Sequence, residues 1–184
     1  LEIARFTQHV QDIALRAEMS VAADWYYYYA SALETIDDKR RVLTPNSDAV
    51  IVREPFGVVV AITPFNGALS LGSWKLAPAL AMGNAVILKP PVDAAGSSLR
   101  LAQLALEAGI PKGIVNTVVA DGSDSERLAT HPGVDMVSFT GSTQVARHLG
   151  GKVTGNLKKF ICEAGGKSAH IVFEDGDVAA AATA

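Results

Sequence analysis

Residues 58–89 read VVVAITPFNGALSLGSWKLAPALAMGNAVILK, and the fold follows from the way this stretch changes its period. Val58–Ile62 is an unbroken run of β-branched and small apolar residues, the pattern of a strand covered on both faces. Leu69–Met82 spaces its apolar residues as a helix does, and Gly83–Asn84 stops it where the next apolar run, Ala85–Leu88, begins. A strand, a helix and a second strand in that order make a crossover unit with its two strands parallel.

Working outward, the alternation continues. Ala94–Ala108 reads as a helix ended by Gly109, Val115–Val119 as a strand, and Ser123–His131 as a helix opened by a capping box of Ser123 with Glu126. Met136–Phe139 and Phe160–Cys162 read as further strands around a helix at Thr143–Gly150. Strict alternation predicts an α/β fold, a parallel sheet with helices on both faces. Toward the N-terminus, Ile3, Phe6, Val10, Ile13, Ala17, Val21, Trp25, Tyr28 and Leu33 recur at spacings of three and four, the stripe of one long amphipathic helix. The run Tyr26–Tyr29 reads as a packing surface rather than a ligand box. Pro45–Asp48 has turn chemistry between the β-prone stretches Arg41–Leu43 and Val50–Arg53, which predicts a hairpin. The architecture changes near Arg53–Gly57, so residues 1–57 form a helix-and-hairpin segment and 58–184 a sheet domain that looks incomplete at its C-terminus. Both ends of the chain look cut.

With 184 residues, 49% of them hydrophobic, the chain is long enough to bury a core, and its net charge of −3 is spread without blocks. That distribution offers no footprint for nucleic acid or an anionic membrane. The longest apolar runs, such as Phe56–Ile62, fall well short of the ~20 residues of a membrane-spanning helix. A single cysteine, Cys162, excludes an internal disulfide and fits a reducing, cytoplasmic setting. The four histidines, His9, His131, His148 and His170, show no ligand spacing, and no metal site is expected.

In a doubly wound sheet, ligands sit at the carboxyl ends of the strands. The residues there are polar and distinctive: Thr63–Pro64–Phe65–Asn66–Gly67, Lys89–Pro90–Pro91, Thr140–Gly141–Ser142–Thr143 and Glu163–Ala164–Gly165–Gly166–Lys167. A helix start at Gly141–Ser142 presents backbone N–H groups that attract phosphate, with Ser142 as a further hydroxyl donor. The same residues also suit a plain helix cap, and physics alone leaves the two open.

Pro64–Phe65–Asn66, Trp74–Lys75–Leu76–Ala77–Pro78–Ala79–Leu80, Gly83–Asn84, Lys89–Pro90, Phe139–Thr140–Gly141–Ser142 and Glu163–Ala164–Gly165–Gly166–Lys167–Ser168 together resemble the aldehyde dehydrogenase superfamily in order and spacing. The resemblance runs from about Glu54 to the end and implies a Rossmann-type parallel sheet binding NAD or NADP, and an aldehyde as substrate. It implies catalytic roles for Asn66, as the side-chain donor to the oxyanion, and for Glu163, as the base that activates water against a thioester. Cofactor contacts would come from Lys89 at the adenosine ribose and Ser142 at the pyrophosphate, with Thr63, Pro64, Phe65, Gly141 and Gly165 along the same cleft. Val92 stands where NAD-preferring members often carry a glutamate, so NADP acceptance is expected, with Lys89 free to face a phosphate. A homodimer or homotetramer is implied, bridged by the hairpin.

Beside Glu163, Cys162 invites assignment as a nucleophile. It precedes the Glu-x-Gly-Gly-Lys motif, whereas the family's nucleophile lies a few tens of residues beyond it, and strand alternation sends Cys162 and Glu163 to opposite faces. Cys162 is expected to be a small buried hydrophobe, Glu163 to end a buried strand, and the chain alone to be inactive. The competing reading is a non-catalytic dinucleotide-binding or subunit-interaction module.

Overall fold

The computed structural model describes residues 18–36, 39–44 and 47–183. The predicted N-terminal helix appears from Met19 to Leu33 as α1, and its earlier part, Ile3 to Ala17, lies outside the described residues. β1 (Lys39–Thr44) and β2 (Ser47–Ile51) pair antiparallel, from Lys39 opposite Ile51 to Thr44 opposite Ser47, as the hairpin expected. The hydroxyls of Thr44 and Ser47 share a hydrogen bond (2.7 Å) across the strand ends, while Pro45 and Asn46 lie outside the described residues.

There follow β3 (Val58–Ile62), α2 (Ala68–Ala81), β4 (Ala85–Lys89), a single 3-10 turn (Val92–Ala94), α3 (Gly96–Glu107), β5 (Val115–Thr117), α4 (Gly122–Thr130), β6 (Met136–Gly141), α5 (Thr143–Thr154), β7 (Lys159–Ala164) and the short α6 (Val178–Ala181). All five strands from β3 onward are parallel, in the spatial order β5-β4-β3-β6-β7. The chain therefore builds outward from β3 to one edge, then returns to its other side. This reversal splays the connections after β3 and β6 apart and opens a crevice at their carboxyl ends.

Alternate residues of the central strands serve two cores. Ala61, Val86 and Leu88 pack with Leu69 and Leu76 of α2, Leu101 and Ala105 of α3 and Ala22 of α1. Val60, Ile62, Val137 and Phe139 pack on the opposite face with Ala146, Leu149 and Val153 of α5 and Ala129 of α4. Burial on both sides is why the central strands read as continuous apolar runs, and fully buried Leu76 and Leu88 each contribute roughly 1.5–3 kcal/mol. Polar ties set the strand starts: Val58 N donates to Asp135 Oδ2 (2.8 Å), and Asn84 accepts from Gly57 N (3.1 Å) while donating to Ala79 O (2.9 Å). The buried Glu18 carboxylate accepts from Leu69 N (3.3 Å), supplying from α1 a cap that α2 lacks in its own sequence.

Three details depart from the sequence reading. Asp121, not Ser123, caps α4, its carboxylate accepting from the N–H groups of Ser123 (3.0 Å) and Asp124 (3.2 Å), while Glu126 turns to His148 and Lys152. β6 and β7 run two residues further than expected, because their parallel pairing continues through Thr140–Glu163 and Gly141–Ala164. β5 stops at Thr117, being an edge strand paired on one side only.

Candidate functional site

A cleft of about 980 Å³ opens at the carboxyl ends of β3 and β6, where the strand order reverses. Thr63, Pro64, Phe65 and Asn66 line it after β3, Lys89 after β4, Gly141 and Ser142 after β6, and Glu163 and Gly165 at and after β7. Gly122 and Ser123, which follow β5, line it too, so five separate connections meet in one space. The backbone N–H of Thr63 donates to Lys89 O (3.2 Å), which holds the first two connections together. Thr143 Oγ1 donates to Gly165 O (3.4 Å), which ties the last two.

Each member has a distinct surrounding. Thr63 is buried, yet its hydroxyl has no hydrogen-bond partner among the described residues, an expensive arrangement unless a ligand completes it. Asn66 is exposed in the turn that joins β3 to α2, at the mouth of the cleft. Gly141 lies directly over the Phe139 ring: a Cβ there would meet the ring at 2.6 Å, so the helix start can approach the cleft only as glycine. Ser142 caps α5, accepting from Val145 N (3.3 Å); its hydroxyl hydrogen remains available to a ligand, so the cap and anion-binding readings are compatible.

Glu163 occupies a partition. It lines the main cleft and also a second cavity of about 540 Å³ on the α2 side of the sheet, which Trp74, Lys75, Ser138 and Ile161 help to form. Lys75 donates to Ser138 Oγ (2.9 Å) there, and burial lowers its pKa to about 8 against the opposing pull of Glu163. Burial also lowers the pKa of Lys89 at the far end of the main cleft, with Asp121 pulling the other way.

Some expectations fail at this level. Glu163 and Cys162 are exposed rather than buried, because β7 is the outer strand and its faces carry little cover among the described residues. Val92 sits exposed on the 3-10 turn, next to Pro91, which lines the cleft. Lys89 is not free of acidic neighbours, since it lies within the electrostatic reach of Asp121.

The model of the Aldehyde dehydrogenase family matches residues 8–184. The chain belongs to the aldehyde dehydrogenase family. It is 44% identical over 165 residues to the NADP/NAD-dependent aldehyde dehydrogenase PuuC of Escherichia coli (strain K12), covering 88% of this chain and 33% of that protein. Among solved structures, the NAD-dependent aldehyde dehydrogenase from Sinorhizobium meliloti superposes with a TM-score of 0.88 at 36% identity, over 100% of this chain and 36% of the other. Betaine aldehyde dehydrogenase from Staphylococcus aureus, in complex with NAD+, superposes with a TM-score of 0.86 at 34% identity, over 91% and 34%. The chain therefore spans about a third of the length of these aldehyde dehydrogenases, and its α/β fold is theirs.

Sequence reasoning passed over two residues of this aldehyde dehydrogenase chain. Lys75 carried a signal: it lies on the stripe of α2 between Leu71 and Pro78, where a lysine breaks an apolar row. Asp121 carried little, because its approach to Lys89 depends on how α4 leaves the sheet edge. Among the described residues no helix is long and apolar enough to cross a membrane, and no group of three or more histidine, cysteine or acidic side chains is placed to hold a metal ion.

Proposed function

We propose that this chain is the cofactor-binding part of an enzyme that oxidises an aldehyde to a carboxylic acid with NAD or NADP, through a covalent thioester on a cysteine outside residues 1–184. The observation that carries the reading is the meeting of Asn66 and Glu163, far apart in sequence, in one cleft with the Ser142 helix start and Lys89. The cofactor fits the donor set: an orphaned Thr63 hydroxyl, the N–H groups opening α5, and a lysine ammonium. When bound, the nicotinamide supplies the hydride acceptor.

The residues of this chain then divide the remaining work. Asn66 donates its amide to the aldehyde oxygen as negative charge develops there. Glu163, open to solvent at the partition between the two cavities, removes a proton from the water that attacks the thioester. Thr63, Ser142 and Lys89 hold the dinucleotide, with Pro64, Phe65, Gly141 and Gly165 as the walls. Val92 brings no negative charge toward the ribose, which favours acceptance of NADP beside NAD. The enzyme is proposed to work in the cytoplasm as a homodimer or homotetramer bridged by β1 and β2, where Val50 and Ile51 are exposed.

The test is to express the complete reading frame and measure aldehyde-dependent reduction of NAD and NADP across aliphatic, aromatic and amino-aldehydes. Turnover without coenzyme A, absent from residues 1–184 alone, is the expected result. Nucleotide binding without turnover on any aldehyde would favour the module reading, and strict dependence on coenzyme A would contradict the hydrolytic role of Glu163.

A further inference from the structure

Beyond the helix start at Ser142, two helices share the wall of the main cleft, and a carboxylate joins them. Ser125 and Glu126 of α4 line it, as do Val145, His148 and Leu149 of α5. Glu126 Oε2 meets His148 Nε2 at 2.5 Å, and Glu126 Oε1 accepts from Lys152 Nζ at 2.5 Å, so one side chain of α4 grips two of α5 a turn apart. Because a carboxylate only accepts, Nε2 carries the hydrogen of this contact, and a second proton on the ring goes to Nδ1.

The hydrogen bond from Lys152, followed by that from His148, holds the Glu126 carboxyl below its ordinary pKa, so it stays ionised through neutral pH. Glu126 and Lys152 then cancel, and the net charge of the trio is that of His148. Among the described residues, the titratable side chains that line the cleft are Lys89, Glu126, His148 and Glu163. Of these types, imidazole is the one that ordinarily changes charge near neutral pH. Glu126 faces the ring from α4, where Asp124 and Arg127 pair with each other (3.0 Å), and its charged neighbours on α5 are Arg147 and Lys152. His148 stands six residues along α5 from Ser142, about 9 Å of helix. That is within the screening length of ~10 Å at 0.1 M salt, so a charge gained on the ring is felt at the helix start.

We propose that His148 is a further cofactor-binding residue, held in the cleft wall by Glu126 and Lys152, whose proton raises the affinity of the site for the anionic diphosphate of a nicotinamide dinucleotide. This rests on reading the cleft as a dinucleotide site with the diphosphate at Ser142. Glu126 is a positioning residue, since it fixes the ring against the wall. With the ring neutral, the trio adds no net charge beside the diphosphate; with the ring protonated, it adds one positive charge. Affinity for the dinucleotide is then gained as pH falls and lost as pH rises, and binding draws a proton onto the ring by the same amount of free energy.

The test is NAD binding by the product of the complete reading frame, measured by titration calorimetry from pH 6 to 8.5, a range in which NAD itself does not titrate. The expected result is an affinity about three- to fivefold higher at the acid end, the size of one partly screened charge, and shrinking as salt rises. Exposed ion pairs add little to stability, so substitutions in the trio leave the fold intact. His148→Gln, which keeps a neutral N–H donor for Glu126, should flatten the pH response and hold the affinity near the wild type's alkaline value. His148→Lys, which is charged throughout the range, should hold it near the acid value. Glu126→Gln, which frees the ring from the wall, should lessen the response, and an undiminished one would overturn the part given to Glu126. A full pH response surviving in His148→Gln, or equal affinities in the Gln and Lys variants, would overturn the proposal while leaving the cleft assignment intact. Failure of the unsubstituted protein to bind NAD at any pH would bring down the cleft assignment and this proposal with it.

Discussion

Lys75 and Lys89 are both drawn into the body of the domain, and both lie within electrostatic reach of a carboxylate, but the two surroundings are built differently. At the Lys75 end the lysine is the fixed partner: it donates to Ser138 from within α2, while Glu163 is exposed on the outer strand. At the Lys89 end the carboxylate is the fixed partner, held by three hydrogen bonds at the start of α4. A base that must take a proton from water gains from an unclamped carboxylate that solvent can reach. The contrast is between a carboxylate open to solvent near Lys75 and one clamped at a helix start near Lys89.

The contrast can be broken most severely at Glu163. In the full enzyme, Glu163→Gln should lower steady-state turnover by roughly 10²- to 10⁴-fold, the range for loss of a general base, with a burst of reduced cofactor before the slow phase. Stopped-flow absorbance of the reduced cofactor measures both, and wild-type turnover in this variant would remove Glu163 from the mechanism. Asn66→Ala should cost roughly 10²- to 10³-fold and suppress the burst itself, since the oxyanion forms before hydride leaves. A change confined to cofactor affinity would move Asn66 to the recognition side.

The smallest effect sharpens the comparison through pH. The folded pKa of Lys75, about 8, lies below its ordinary 10.5, so between those values the unfolded chain holds a proton that the folded chain does not. The contribution of this lysine to stability should therefore rise with pH across that window. Urea midpoints measured from pH 7.5 to 10.5 should show the rise in the wild type and a flatter profile in Lys75→Met. Identical profiles would mean that the amine is solvated and not part of the wall.

How much of this was legible in the sequence depended on how local the cause was. Val58–Ile62 reads as a strand with the bounds it has, because burial on both faces leaves an unbroken apolar run. The carboxyl-end residues Thr63 to Asn66, Lys89 and Ser142 were legible as site candidates for the same reason, since strand ends can be read from where the apolar runs stop. The exposure of Cys162 and Glu163 was not, because β7 has an apolar stretch whose cover depends on elements beyond its own sequence. The α4 cap was ambiguous, as Asp121, Ser123, Asp124 and Ser125 are all capable of capping and only the path of the chain from β5 chooses among them. Asp121 comes within electrostatic reach of Lys89 from a different connection, and no spacing rule joins residues that far apart.

The strand order has a consequence for how the protein is made. β3 is the centre of the sheet and the first of its strands to be synthesised; β4 and then β5 extend one side as they emerge. The opposite edge of β3 finds its partner only when Met136–Gly141 has left the ribosome, so for the whole intervening synthesis one edge of a strongly apolar strand stands unpaired beside nascent chain. An open edge of that kind is prone to aggregate while the chain grows, and it is a surface that a holding chaperone would shield.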